Sequence, residues 1–160
     1  MKPLVKYRGG KSKEIPHLIN HIPHFSGRYI EPFFGGGALF FHLEPKKAII
    51  NDIKSKLISF YLGVKDNFEL LKTELSEIEK LYAINRKKFE ELKSITPNER
   101  VDDENEALYY QIRNMFNDLT EKKYSEALLY FFINKTEYSG MIRYNSKGEF
   151  NVPYGGIGYN

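Results

Sequence analysis

Three consecutive glycines, in Phe33-Phe34-Gly35-Gly36-Gly37, stand between a short apolar run and a helix-like one. Glycine lets the chain turn tightly and lets a ligand approach the backbone, while a following helix directs unpaired N–H groups and a positive dipole end at the same spot. Seventeen residues beyond Gly35, at the end of the next apolar run, comes Asp52. A carboxylate placed there can accept hydrogen bonds from ribose hydroxyls, so loop and acid together point to an adenosine-type cofactor. Phe40 occupies the place of the third glycine of a dinucleotide fingerprint, and a structural turn beside a surface acid is the plain alternative. Upstream, Lys6-Tyr7-Arg8-Gly9-Gly10-Lys11 sets two glycines between an aromatic and a cation. Tyr7 can stack on a base and Lys11 can meet a carboxylate or phosphate, although a basic surface loop has the same composition.

A second chemistry-bearing stretch lies near the far end. Residues 134–145 and 148–155 interleave Tyr138, Tyr144 and Tyr154 with Asn134, Asn145 and Asn151 around Arg143. Aromatics suit base stacking, amides suit base edges, and an arginine can grip a guanine edge with two N–H groups. Tyrosines that merely pack a loop against helices would look similar. His17 and His21 share a helix-like i, i+4 spacing, yet no acidic neighbour completes a metalloprotease motif, so no metal site is expected.

These residues need elements to position them. Over 6–63, apolar runs at Tyr29-Ile30 and Ala48-Ile49-Ile50 bracket a two-turn helix over 38–43 that stops before Pro45, which predicts a βαβ unit and then a helix over about 54–64. Over 66–135 the pattern turns helical. Phe68, Leu71, Leu75, Ile78, Tyr82, Phe89 and Leu92 form one apolar stripe that is interrupted at Ile95-Thr96-Pro97-Asn98. Leu108, Ile112, Met115 and Leu119 form a second stripe, and Ala127, Leu128, Phe131 and Phe132 a third; all three are expected to be core. Residues 136–160 carry no sustained period and read as loops with a hairpin turn at Ser146-Lys147-Gly148.

Composition bounds the class. With 160 residues, 41% hydrophobic and 15% aromatic, the chain is too apolar to be disordered and has the length of one ordinary domain. No apolar run approaches the ~18 residues of a membrane helix, and the first residues lack a signal-peptide core, so no membrane and a cytoplasmic location are expected. The absence of cysteine excludes disulfides and thiolate chemistry. The net charge of +3 is a weak excess, distributed as a basic head and an acidic middle.

Read in order, KYRGGK, YIEPFFGGGALFF, INDIKSKLISFY, YYQIRNMFN and LLYFFINKTEYSGMIRYNSKGEFNVPYG resemble the N-terminal portion of Dam-type, or D12-class, N6-adenine DNA methyltransferases. The resemblance implies an α/β protein: a partial Rossmann-like methyltransferase fold with an inserted helical DNA-recognition domain. It assigns 1–65 to the cofactor-binding part, 66–155 to target recognition and 156–160 to the start of a return to the catalytic half. It implies S-adenosylmethionine as cofactor, bound by Tyr7, Gly10, Lys11, Glu31, Pro32, Phe33, Gly35 and Gly37, with Asp52 on the ribose hydroxyls. Double-stranded DNA is the implied partner. Tyr138 would wedge beside the base stack, while Ser139, Met141, Arg143, Asn145 and Pro153 would line the target bases and backbone. Ser139 replaces the asparagine frequent in this loop, which leaves the target sequence open.

The implied reaction is methyl transfer to the exocyclic N6 of an adenine flipped from the duplex, in a restriction-modification or phage setting. Its Asp-Pro-Pro-Tyr motif does not occur in these residues, and Asn151-Val152-Pro153-Tyr154 belongs to the recognition loop, so no catalytic residue is expected here. Two strands alone would leave an unpaired edge and an uncovered apolar face. A fragment, half of a split enzyme completed by a second chain, or a homodimer is therefore expected. A non-catalytic DNA-binding module is the alternative. A nicotinamide-dependent oxidoreductase, suggested by the glycine loop alone, is disfavoured by Phe40.

Overall fold

The computed structural model describes residues 1–156; the expected return to a catalytic half, over 156–160, lies outside the described residues except for Gly156. Two compact units divide the chain, Met1–Ile58 and Ser59–Asn160. The division falls inside the helix over Ser55–Asp66.

In the first unit, a 3-10 turn over Lys11–Lys13 leads into α1 (Ile15–Leu18), whose first turn carries Pro16 where its missing N–H costs nothing. Strand β1 (Tyr29–Glu31), helix α2 (Ala38–Leu43) and strand β2 (Ala48–Ile50) follow, and α3 (Ser55–Asp66) begins within this unit. The strands pair in parallel, with Tyr29 opposite Ala48, Ile30 opposite Ile49 and Glu31 opposite Ile50. Helix α2 ends at Glu44, which adopts a left-handed conformation just before Pro45, so the helix has no route onward. Its aromatics pack inward: Phe34 meets Phe40 and Phe41, and Phe40 meets Tyr29. Val5, Ile15, Phe34, Ala38 and Phe41 are buried, whereas the adjacent pair Ile30 and Ile49 stays exposed. Parallel sheets are normally covered on both faces, and this one is open on the face bearing Ile30 and Ile49.

The second unit is helical, with α4 (Phe68–Ile95), α5 (Glu104–Phe116) and α6 (Glu126–Thr136). Asp103 caps α5 by accepting from the Asn105 N–H, and Ser125 caps α6 by accepting from Leu128. The Ser125 N–H and hydroxyl also donate to the buried Glu74 carboxylate at 2.8 and 2.5 Å, which fastens the start of α6 to α4. Gly63 on α3 sits so close to Ala127 on α6 that a Cβ there would lie 2.5 Å from the alanine methyl.

The α5 stripe (Leu108, Ile112, Met115) and Ala127, Leu128 and Phe132 of α6 are buried as expected, as are Leu71 and Ile78 of α4. Phe68, Leu92 and Leu119 depart from the expected core and are exposed. Phe68 opens α4, Leu92 belongs to its last turn, and Leu119 lies past the end of α5 beyond Asp118, whose φ of +59° ends the helical direction. No helix among the described residues is long and apolar enough to cross a membrane.

Candidate functional site

In the first unit the expected cofactor residues gather where both strands end. The Asn51 N–H donates to the Glu31 carbonyl at 3.0 Å and the Phe34 N–H to the Asn51 carbonyl at 2.8 Å, so the loops leaving β1 and β2 are laced together. Asp52 completes the lacing. Its Oδ2 accepts from the Gly35 N–H at 2.8 Å and its Oδ1 from the Lys54 N–H at 3.0 Å. Each carboxylate oxygen can accept a further hydrogen bond, so Asp52 can shape the glycine loop and still receive a hydroxyl.

Gly35 and Gly37 both have positive φ, at 52° and 68°. Tyr7 packs on this loop: Cβ atoms at Gly35 and Gly36 would lie 3.1 Å from Tyr7 Cε1 and 2.8 Å from Tyr7 Cβ. The Lys54 ammonium sits 4.6 Å from the centre of the Tyr7 ring, a cation–π distance. Gly10 closes the turn beneath Tyr7, its N–H donating to the Tyr7 carbonyl at 3.0 Å, while Lys11 opens the 3-10 turn and is exposed. Glu31 is half-buried and accepts from the Tyr29 hydroxyl at 2.9 Å. Burial raises its carboxyl pKa and the bond from Tyr29 opposes that shift; the Tyr29 phenol is pushed up by burial and then by Glu31. Pro32 and Phe33 are exposed, Phe33 with 90% of its surface free. Thus Tyr7, Gly10, Gly35 and Asp52 are brought together. Gly36, the middle of the glycine run, belongs to the same cluster, as do Asn51 and Lys54, which the sequence did not single out.

In the second unit the loop over 137–155 is built on α5 and α6. The Tyr138 N–H donates to the Pro153 carbonyl at 3.0 Å, and Gly155 N–H to Thr136 at 2.9 Å. Tyr144 bridges to Phe150 in antiparallel fashion around the expected turn. The Met141 N–H donates to Oε2 of the wholly buried Glu137 at 2.8 Å. Tyr138, Ser139, Arg143 and Pro153 are exposed and Met141 is half-exposed. The Asn145 side chain is engaged in the turn: its Oδ1 accepts from the Lys147 and Glu149 N–H groups and its Nδ2 donates to Glu149.

Four anchors of this loop were not evident from the sequence. Asn117 accepts from the Phe150 N–H at 2.8 Å and donates to the Phe150 carbonyl at 2.9 Å. Tyr109 Oη and Arg113 Nη1 both donate to the Val152 carbonyl, at 2.9 and 3.2 Å. The Tyr82 and Tyr154 hydroxyls are 2.7 Å apart. Burial is the leading cause that raises the Tyr109 and Tyr154 phenols. The signal that could have found three of them is their spacing: 109, 113 and 117 recur every four residues, along one line of α5 and its C-cap.

Ser139 has φ +66° and ψ +15°, and Gly140 follows with φ +65°. An L-residue is strained in this left-handed region, and asparagine tolerates it better than serine. Ser139→Gly is expected to stabilise the chain by up to about 1 kcal/mol in urea unfolding; a destabilised variant would show that the hydroxyl, not the backbone, matters.

Comparison with known proteins gives consistent matches. The profile of a family described as D12 class N6 adenine-specific DNA methyltransferase matches residues 7–160. A type II methyltransferase of Lactococcus lactis subsp. cremoris, M1.LlaDCHI, is 36% identical over 97% of this chain and 48% of its own length. M.MjaIII, a type II methyltransferase of Methanocaldococcus jannaschii, is 36% identical over 97% of this chain and 52% of its own. A DNA adenine methylase of Salmonella typhi is 32% identical over 96% and 48%. The chain spans about half the length of the curated relatives it matches.

Proposed function

The chain belongs to the D12 class of N6 adenine-specific DNA methyltransferases, and from that premise we propose that it supplies the cofactor-holding and target-recognising parts of a site-specific adenine methyltransferase acting on duplex DNA. The observation that carries the cofactor assignment is the double acceptance by Asp52, which sets a carboxylate against a loop stripped of Cβ atoms. This geometry fits S-adenosylmethionine. Asp52 keeps acceptor capacity for vicinal hydroxyls, and Phe33 and Ile53, 90% and 96% exposed, offer apolar surface to a purine. When bound, the cofactor supplies a methyl group activated by its sulfonium.

The chain's own residues bind and orient. Tyr7, Gly10, Lys11, Glu31, Pro32, Phe33, Gly35, Gly37 and Asp52 hold the cofactor. In the second unit Tyr138, Ser139, Met141, Arg143 and Pro153 meet the DNA, and Asn145 shapes the turn that presents them. The group that accepts hydrogen bonds from the adenine amino group is not among these residues, since Asp-Pro-Pro-Tyr does not occur in them. We assign it to further polypeptide that covers Ile30 and Ile49 and pairs with a free strand edge, whether the remainder of a longer chain or a second chain. The alternative, a DNA-binding module without chemistry, parts from this reading on cofactor affinity.

Both readings require duplex binding dominated by phosphate contacts. Fluorescence anisotropy with a labelled duplex is expected to show affinity falling on the order of tenfold or more between roughly 50 and 200 mM salt. A folded chain that ignores duplex DNA, or binds it independently of salt, would contradict the assignment.

A further inference from the structure

Arg143 and Asn151 exchange three hydrogen bonds across the hairpin. The Asn151 N–H donates to the Arg143 carbonyl at 3.1 Å, Arg143 Nε–H donates to Asn151 Oδ1 at 2.9 Å, and Arg143 Nη2 donates to the Asn151 carbonyl at 3.3 Å. A guanidinium offers two hydrogen-bonding edges, the side-on pair Nε and Nη2 and the end-on pair Nη1 and Nη2. Asn151 takes the side-on edge. The end-on pair of this exposed arginine is left for an outside acceptor, and its two parallel N–H groups match O6 and N7 of a guanine or two oxygens of a phosphate.

Asn151 is itself held in place. It stands between Phe150, whose backbone is doubly bonded by Asn117, and Val152, whose carbonyl receives Tyr109 and Arg113. Both neighbours are 2% exposed. A freely rotating arginine attracts phosphate anywhere along a duplex, whereas one clamped by its side-on edge from a fixed backbone has a defined direction. Defined direction is what base readout needs.

We propose that Asn151 is a positioning residue for sequence recognition: it clamps the side-on edge of Arg143 so that the end-on edge reads one guanine in the target duplex. This rests on the DNA-recognition reading above. The two parts of the clamp differ in what a substitution removes, because the bond to the Asn151 carbonyl survives any side-chain change while the bond to Oδ1 does not.

The test is enrichment of a duplex pool with a randomised centre by the full chain, followed by sequencing, for the wild type, Arg143→Ala, Asn151→Ala, Asn151→Asp and the double alanine variant, with helix content checked by circular dichroism. The wild type should enrich guanine at a defined position. Arg143→Ala should lose that preference by about tenfold, Asn151→Ala should lose it at the same position, and the double variant should lose no more than Arg143→Ala alone. Asn151→Asp keeps an acceptor for Nε and should retain the preference even as its charge weakens binding to every duplex. An unchanged preference in Asn151→Ala, or a loss spread evenly over all positions as for a phosphate contact, would overturn the clamp while leaving the DNA reading intact. A wild type that binds no duplex would overturn the DNA reading and the clamp with it.

Discussion

Gly37→Ala is expected to destabilise the first unit by about 3 kcal/mol. Gly37 precedes α2 with φ +68°, and a Cβ there would lie 2.4 Å from Phe34 Cζ and 2.9 Å from both neighbouring ring carbons. The ring has nowhere to retreat, since Phe34 is 3% exposed and packed against Phe40 and Phe41. Left-handed strain contributes about 1–2 kcal/mol and the overpacked ring about 1–3, partly offset by about 0.4–1 from a stiffer unfolded chain. Hydrogen exchange reads this locally through the Phe41 N–H, which bonds the Gly37 carbonyl at 2.9 Å, and its protection should fall by about a hundredfold. Gly9→Ala is the control. Gly9 has φ +79° but open space where a Cβ would go, so that change should cost only about 1 kcal/mol, the strain less the same offset from the unfolded chain. Equal effects of the two substitutions would show that the Phe34 contact does not constrain the loop.

Asn117→Ala carries the second large effect. It removes both bonds to the Phe150 backbone, leaving an N–H and a carbonyl without protein partners beside a 2% exposed residue. Each buried group left unpaired costs about 1–3 kcal/mol, so a loss of about 2–4 kcal/mol is expected, with water reaching the half-exposed Asn117 position setting the lower bound. Urea unfolding followed by circular dichroism measures it. Because Phe150 bridges to Tyr144, the same substitution frees the hairpin that presents Arg143, and duplex affinity should weaken along with stability. A variant within about 0.5 kcal/mol of the wild type would mean that the loop is held by other contacts.

Much of this arrangement was legible beforehand, for identifiable reasons. Strand, glycine loop, helix and strand over 29–50 were readable because Gly35–Gly37 and Pro45 punctuate short apolar runs, and the close of α4 because Thr96-Pro97-Asn98 follows Ile95. The turn at Ser146-Lys147-Gly148 was readable from composition. Periodicity marks which face of a helix is apolar but not how far along its length a neighbour reaches, which is why Phe68 and Leu92 lie on the apolar stripe and are nonetheless exposed. The short α1 gave no periodic signal at all, having only four residues. Site residues divide in the same way. Asp52 and the glycines could be singled out by type, whereas the bond from Gly35 to Asp52, the packing of Tyr7 on Gly36 and the grip of Asn117 on Phe150 join residues 17 to 33 positions apart. Such pairings depend on how the chain turns in space, and a one-dimensional pattern does not encode them.

The measurement that bears most directly on the central claim, that the loops of the first unit hold S-adenosylmethionine through Asp52, is a calorimetric titration of the intact chain with that cofactor, run beside Asp52→Ala. The wild type should bind one molecule. The substitution removes a charged acceptor of the Gly35 and Lys54 N–H groups together with the acceptor for ribose, and should weaken binding by about a hundredfold. A wild type whose Phe41 N–H is protected from exchange yet binds no cofactor, or an Asp52→Ala variant that binds as tightly as the wild type, would contradict it.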